Sequence, residues 1–150
     1  NDNTIKMLYY ITPEGEIELK PSIATKISNI ISNEGIEAAT KTYWKLKKIQ
    51  ADEYNFEENE LNNLGYSYLG KEEVIKAIAV LKINVQVFPN SSNAHDSYGE
   101  ALLKGGNKEQ AIISYSKSVK LNPDNQFGIK VLKGLGVSTD DLIEKVPTEN

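Results

Sequence analysis

From Glu60 onward the apolar residues fall at helical spacing. Leu61, Leu64, Gly65 and Tyr68 recur at i, i+3, i+4 and i+7, which is one face of a helix. Ala77, Val80, Leu81 and Val85 make a second stripe of similar spacing. Gly70 breaks the pattern between them, and Pro89 comes where the second helix should stop. The pattern then returns at a constant offset of 34: "ELNNLGYSYL" at 60–69 falls on "AHDSYGEALL" at 94–103. Leu64-Gly65 lies over Tyr98-Gly99, Tyr68 over Leu102, Ala77 over Ala111, Leu81 over Tyr115, Asn84 over Ser118 and Pro89 over Pro123. In the second unit the break is Gly105-Gly106, after which Asn107 and Gln110 have capping-box spacing. Each unit is therefore expected to be an antiparallel helical hairpin.

Gly65 and Gly99 stand on the buried stripes. A glycine inside a helix costs about 1 kcal/mol against alanine. It is tolerable where two helices must approach closely, and the expected partners are Ala77 and Ala111. Upstream, Pro21-Ser22 reads as a helix start. Ile23, Ile27, Ile30 and Ile31 form one stripe; after Gly35, Ile36, Ala39, Tyr43, Leu46 and Ile49 form another. A connection over 51–57 follows, in which Asn55 and Glu58 are candidate caps. Downstream, Ile129 and Leu132 take the places of Leu61 and Leu64. Lys133 stands where Gly65 and Gly99 stood, as suits a terminal capping helix. Before the helices, Ile5–Ile11 and Glu16–Leu19 are β-prone runs around Thr12-Pro13-Glu14-Gly15, a type I turn pattern in a β-hairpin.

The small residue at the eighth place, alanine at the twentieth, a large residue at the twenty-fourth and proline at the thirty-second resemble the tetratricopeptide repeat. The match covers 58–91 and 92–125. It implies an all-α solenoid of stacked hairpins with a C-terminal capping helix, preceded by the short β-hairpin. The division expected is 1–20 for the hairpin segment, 21–136 for the repeats and 137–150 for the tail. "NFEENELNNLGYSYL", "LKINVQVFPNSSNAHDSYGEALLKGGNKEQAI" and "YSKSVKLNPDN" also resemble a repeat region at the C-terminus of bacterial serine hydrolases, both β-lactamase or penicillin-binding-like enzymes and α/β-hydrolase esterases. That resemblance implies a companion catalytic domain rather than an activity of these residues. The first residue is Asn, so a removed leader or a longer parent chain is expected. The hydrolase resemblance leans towards an exported bacterial protein of the periplasm or cell surface, with a cytoplasmic one as the alternative.

Composition narrows the function. Hydrophobic residues make up 39% and charged residues 25% of the chain, ordinary for a globular domain. No apolar run approaches the roughly 18 residues of a membrane span. A net charge of −4 and a pI of about 5.1 argue against nucleic acid as a partner. Cysteine is absent, so thiolate metal sites and disulfides are excluded. No set of residues is spaced for a metal, and no cofactor is expected. Ser114-Tyr115-Ser116-Lys117 matches S-x-x-K, but Tyr115 belongs to a buried stripe and neither K-T-G nor S-D-N follows. The lone His95 reads as a packing residue, and Lys41, Lys45, Lys47 and Lys48 around Trp44 as a solvated face. What remains is a binding surface. The first helix of each unit lines the concave side of such an array. There Asn59, Asn62, Tyr66 and Leu69 face inward in one unit, and Asn93, Asp96, Glu100 and Leu103 in the next. These residues suit an extended peptide or a helix of a protein partner. In chaperone-tail-binding relatives a Lys/Asn/Arg set clamps a peptide carboxylate. Asn62, Tyr66, Asp96 and Glu100 depart from that set and favour a neutral or basic segment. The missing catalytic domain and a second copy of the chain are the alternative partners.

Overall fold

A computed structural model describes residues 8–11 and 17–143, with side chains from Lys20 onward. Its body is all-helical. α1 (Ile23–Glu34) and α2 (Ile36–Ile49) form the first pair, α3 (Glu58–Gly70) and α4 (Val74–Val87) the second, α5 (Ser92–Lys104) and α6 (Lys108–Leu121) the third, and α7 (Gln126–Gly134) follows. Ahead of them the backbones of β1 (Leu8–Ile11) and β2 (Ile17–Lys20) pair antiparallel, Leu8 opposite Lys20 and Ile11 opposite Ile17. The turn expected at Thr12–Gly15 lies outside the described residues.

Local chemistry sets the helix limits. Ser22 caps α1 by accepting the Thr25 N–H at 3.2 Å, Ser91 caps α5 by accepting the Ala94 N–H at 3.0 Å, and Asn125 caps α7 by accepting the Gly128 N–H at 3.0 Å. Gly35 alone separates α1 from α2. Its φ of 92° lies in the region that only glycine enters freely, and its N–H closes on the carbonyls of Ile30 and Ile31. Two expected caps are not formed. The Asn107 side chain makes no capping bond to α6, and α3 is preceded by Glu57, whose N–H is instead accepted by Asn55 at 3.0 Å. Asn55 is held elsewhere, in a buried polar cluster described below.

Each helix packs against its partner in the pair. α1 also meets α3, α3 meets α5 and α2 meets α4, while α4 meets α5 and α6 meets α7. The core is two apolar clusters, one around Ile23, Ile27, Tyr43, Leu61 and Leu81, the other around Leu102, Tyr115, Val119 and Leu132; Ile78 and Tyr98 pack against both. Gly65 and Gly99 are buried at the crossings, and the atoms nearest a side chain there belong to residues other than the alanines. A Cβ on Gly65 would lie 2.5 Å from Leu81 Cγ, and one on Gly99 would lie 2.9 Å from Tyr115 Cδ2. The large residue of the second helix, not the small one, fills the gap that the glycine leaves. Ile49 is 61% exposed because it ends α2 beyond the packed turns. The tail starts inside the core: Val137, Leu142 and Ile143 pack on the second cluster, and Thr139 is buried. Residues 144–150 lie outside the described residues.

Candidate functional site: the shared face of α3, α5 and α7

The side of α3 and α5 one step round from the buried stripes carries the expected residues. Tyr66 on α3 is 40% exposed, and its hydroxyl donates to Glu100 Oε2 on α5 at 3.0 Å. The two residues are one full repeat apart, so the repeat itself sets them side by side. Glu100 also meets the Lys104 ammonium at 3.2 Å, one turn along α5. Asp96, one turn before Glu100, accepts from Asn125 Nδ2 at 2.7 Å. Asn125 Nδ2 further bonds Ser118 Oγ at 2.9 Å while its Oδ1 caps α7. One asparagine thus links the face to the start of α7.

Burial pushes the Asp96 carboxyl above its ordinary range. The bond from Asn125 pulls it back, and the Glu100 charge raises it again. The Tyr66 phenol is raised chiefly by burial; a bond with Ser97 opposes this, and the charges of Glu100 and Asp96 add to it. Beneath them the Tyr115 phenol is raised by burial first and then by Asp96, Glu100 and Tyr66. The ring that fills the Gly99 gap therefore forms the floor of the acidic patch.

The remaining candidates are less central. Asn59 is exposed, and Asn93, also exposed, donates to Glu58 Oε1 at 2.9 Å. Asn62 is half-buried, and its Oδ1 is a buried acceptor without a partner among the described residues. Leu103 is half-buried against the second cluster. Leu69 is only 7% exposed and belongs to the first cluster, because its place on α3 turns towards the core. Asn59, Asn62, Tyr66 and the residues around Asp96 and Glu100 thus share one side, with Leu69 beneath it.

Two residues of this face lie one repeat further on. On α7, Phe127 takes the place that Asn93 holds on α5, and Lys130 takes the place of Asp96. Phe127 is 54% exposed, and its ring centroid lies 6.4 Å from that of Tyr115. Two exposed rings, Tyr66 and Phe127, therefore flank the carboxylates. Carrying the repeat register one step past the second unit would have found both.

Several polar groups elsewhere are engaged. Glu60, which its place at a helix start marks as a dipole partner, is buried. It accepts from the Ser22 hydroxyl, from Ala24 N at 3.2 Å and from Asn55 Nδ2 at 3.0 Å, tying α3 to the start of α1. The Ser114 hydroxyl donates to the His95 carbonyl at 2.7 Å, and His95 Nε2 lies 2.9 Å from the Pro89 carbonyl. His95 is half-buried rather than sealed in the core. Lys41 pairs with Glu37 at 2.8 Å in the open, and Lys47 lies 4.9 Å from the Phe56 ring. Among the described residues no three His, Cys, Asp or Glu side chains gather as metal ligands would. None of the described helices is long and apolar enough to cross a membrane. No protein-family model matches the chain, and no curated protein matches it.

Proposed function

We propose that the chain is a tetratricopeptide-like solenoid whose concave face binds an extended segment of a protein or peptide, without catalysis. The observation that carries this reading is the meeting of Tyr66, Asp96 and Glu100 from two successive inner helices on one half-exposed surface. Recognition of extended chains needs convergent hydrogen-bonding groups and aromatic contacts on rigid elements. This surface offers carboxylates, the Asn59, Asn62 and Asn93 amides, and two rings. Its carboxylates favour a basic or neutral segment, since a lysine or arginine of the partner would meet Asp96 and Glu100 beside Tyr66, in competition with Lys104 on Glu100 and with Lys130 on the same face. The N-terminal strands are read as a hairpin preceding the array.

The test is fluorescence polarisation of short labelled peptides against the full chain. Basic peptides are expected to bind more tightly than acidic ones of equal length. Glu100→Lys should weaken the basic peptides by tenfold or more. Equal affinity for both charge classes, or an unchanged affinity in the variant, would remove the reading.

A second reading places the same array at the accessory end of a bacterial serine hydrolase. It rests on the wording of residues 21–136, which resembles such regions. Coding sequence upstream of Asn1 that carries a serine-hydrolase motif set would support it, and its absence from the complete gene would end it.

A further inference from the structure

We propose that the outer side of the α4–α5–α6 crossing holds a second site, for a small amphipathic carboxylate with an aliphatic or aromatic body. A cleft of about 400 Å³ opens there, within the size range of small-molecule sites. It is not part of the face just described. Its α5 residues, His95 and Tyr98, lie on the side of that helix turned away from Asp96 and Glu100.

The repeat shows what is unusual about this cleft. One unit earlier, Leu61, Val80 and Ile83 occupy the places of His95, Ser114 and Lys117, and all three are buried. The same backbone crossing is therefore closed with aliphatic side chains in one unit and open in the next. The open version keeps an apolar floor: Val85, Tyr98 and Ile113 line it, and Ile113 is left 69% exposed. Around that floor stand His95, Gln110 and Lys117. Among the described residues no carboxylate lines the cleft, and the Lys117 ammonium stands on it. Lys117 has no ion-pair partner among the described residues, and the Gln110 side chain has no hydrogen bond among them. Ser114 has its hydroxyl committed to the His95 carbonyl, so it offers no nucleophile there. An apolar floor with one uncompensated cation and a neutral amide donor at its edge matches a ligand with an apolar body and one carboxylate.

Decanoate is the probe, titrated into the isotopically labelled full chain and followed by amide chemical shifts. Saturable shifts centred on Tyr98, Ile113 and Lys117 are expected. Lys117→Glu should weaken decanoate at least tenfold while changing the affinity for decanol less than twofold. Ile113→Asp should weaken both. Both side chains are at the surface, so each variant should keep the dispersed spectrum of the folded chain. Shifts that do not saturate, shifts centred elsewhere, or an affinity for decanoate unchanged by Lys117→Glu would overturn the site.

Discussion

The hairpins α3–α4 and α5–α6 share a backbone plan and differ in what fills it. In both, a glycine at the eighth place of the first helix admits a large residue from the second. In one hairpin that residue is the aliphatic Leu81, and in the other the aromatic Tyr115. In both, a polar side chain late in the second helix ties back to the start of the first. Asn84 donates to the Glu58 carbonyl at 3.0 Å, and Ser118 to the Ser92 carbonyl at 2.8 Å. The positions that vary are those facing other units. Glu60 binds the start of α1, whereas its counterpart in the next unit, Ala94, is a buried methyl. Leu61, Val80 and Ile83 seal one crossing; His95, Ser114 and Lys117 leave the other open. The repeat requires a gap, a filler and one polar tie, and it leaves the remaining places free for neighbours and ligands.

Making one hairpin resemble the other sharpens this contrast. Glu60→Ala copies Ala94 into the first hairpin. It should cost the most, about 3 kcal/mol by urea denaturation, because Ser22, Asn55 and the Ala24 N–H lose their acceptor in a buried place. A loss below about 1 kcal/mol would mean that the cluster is not a structural tie. Gly65→Ala should cost about 2 kcal/mol, and Gly99→Ala less. The added methyl meets the branch point of Leu81 at 2.5 Å but the ring of Tyr115 only at 2.9 Å. Equal losses at the two sites would show that the filler does not matter.

The turns supply a smaller test. Glu72 and Gly106 are counterparts in the two units, with φ of 60° and 78°. A side chain there is strained, so Glu72→Gly should stabilise the chain, and Gly106→Ala destabilise it, each by about 1 kcal/mol. Thermal melts that move in the same direction for both would contradict the shared geometry.

The smallest effect concerns Asp96. Its folded pKa is raised, so the native chain holds the proton up to a higher pH than the unfolded chain. Charging Asp96 therefore lowers stability as pH rises from the ordinary aspartate range through the raised value. Asp96→Asn should be slightly more stable than the wild type at neutral pH, and this advantage should vanish in acid. A carbonyl-carbon NMR titration of Asp96 with a midpoint at or below 3.8 would contradict it.

The helix pairs are legible in the sequence because burial on one helical face leaves a period of about 3.6 positions, and the constant offset between the units confirms each half against the other. Tyr66 and Glu100 are legible for the same reason, since equal register places them on one face. The contact partners of the glycines are not. Which side chain fills a gap depends on the crossing of two helices, and the small size of Ala77 and Ala111 does not show that Leu81 and Tyr115 lie nearest. Glu60 is hidden because an acid in the first turn of a helix ordinarily faces water and the helix dipole. Only the packing of α1 on α3 and the path of residues 50–57 bury it. Asn107 and Gln110 have capping-box spacing, yet no side-chain bond caps α6. Leu69 is a different case: it lies at the edge between the open face and the core, where one step of register decides its burial.

The face shared by α3 and α5 depends on the glycine and its filler acting together at each crossing, since that contact sets the helices that bring Tyr66 to Glu100. A double-mutant cycle on Gly65→Ala and Leu81→Ala, read by urea denaturation of the full chain, tests this directly. The expected result is that the added methyl costs at least about 1 kcal/mol less when Leu81 is already truncated. Losses that simply add, to within about 0.5 kcal/mol, would show that the two residues do not share the crossing.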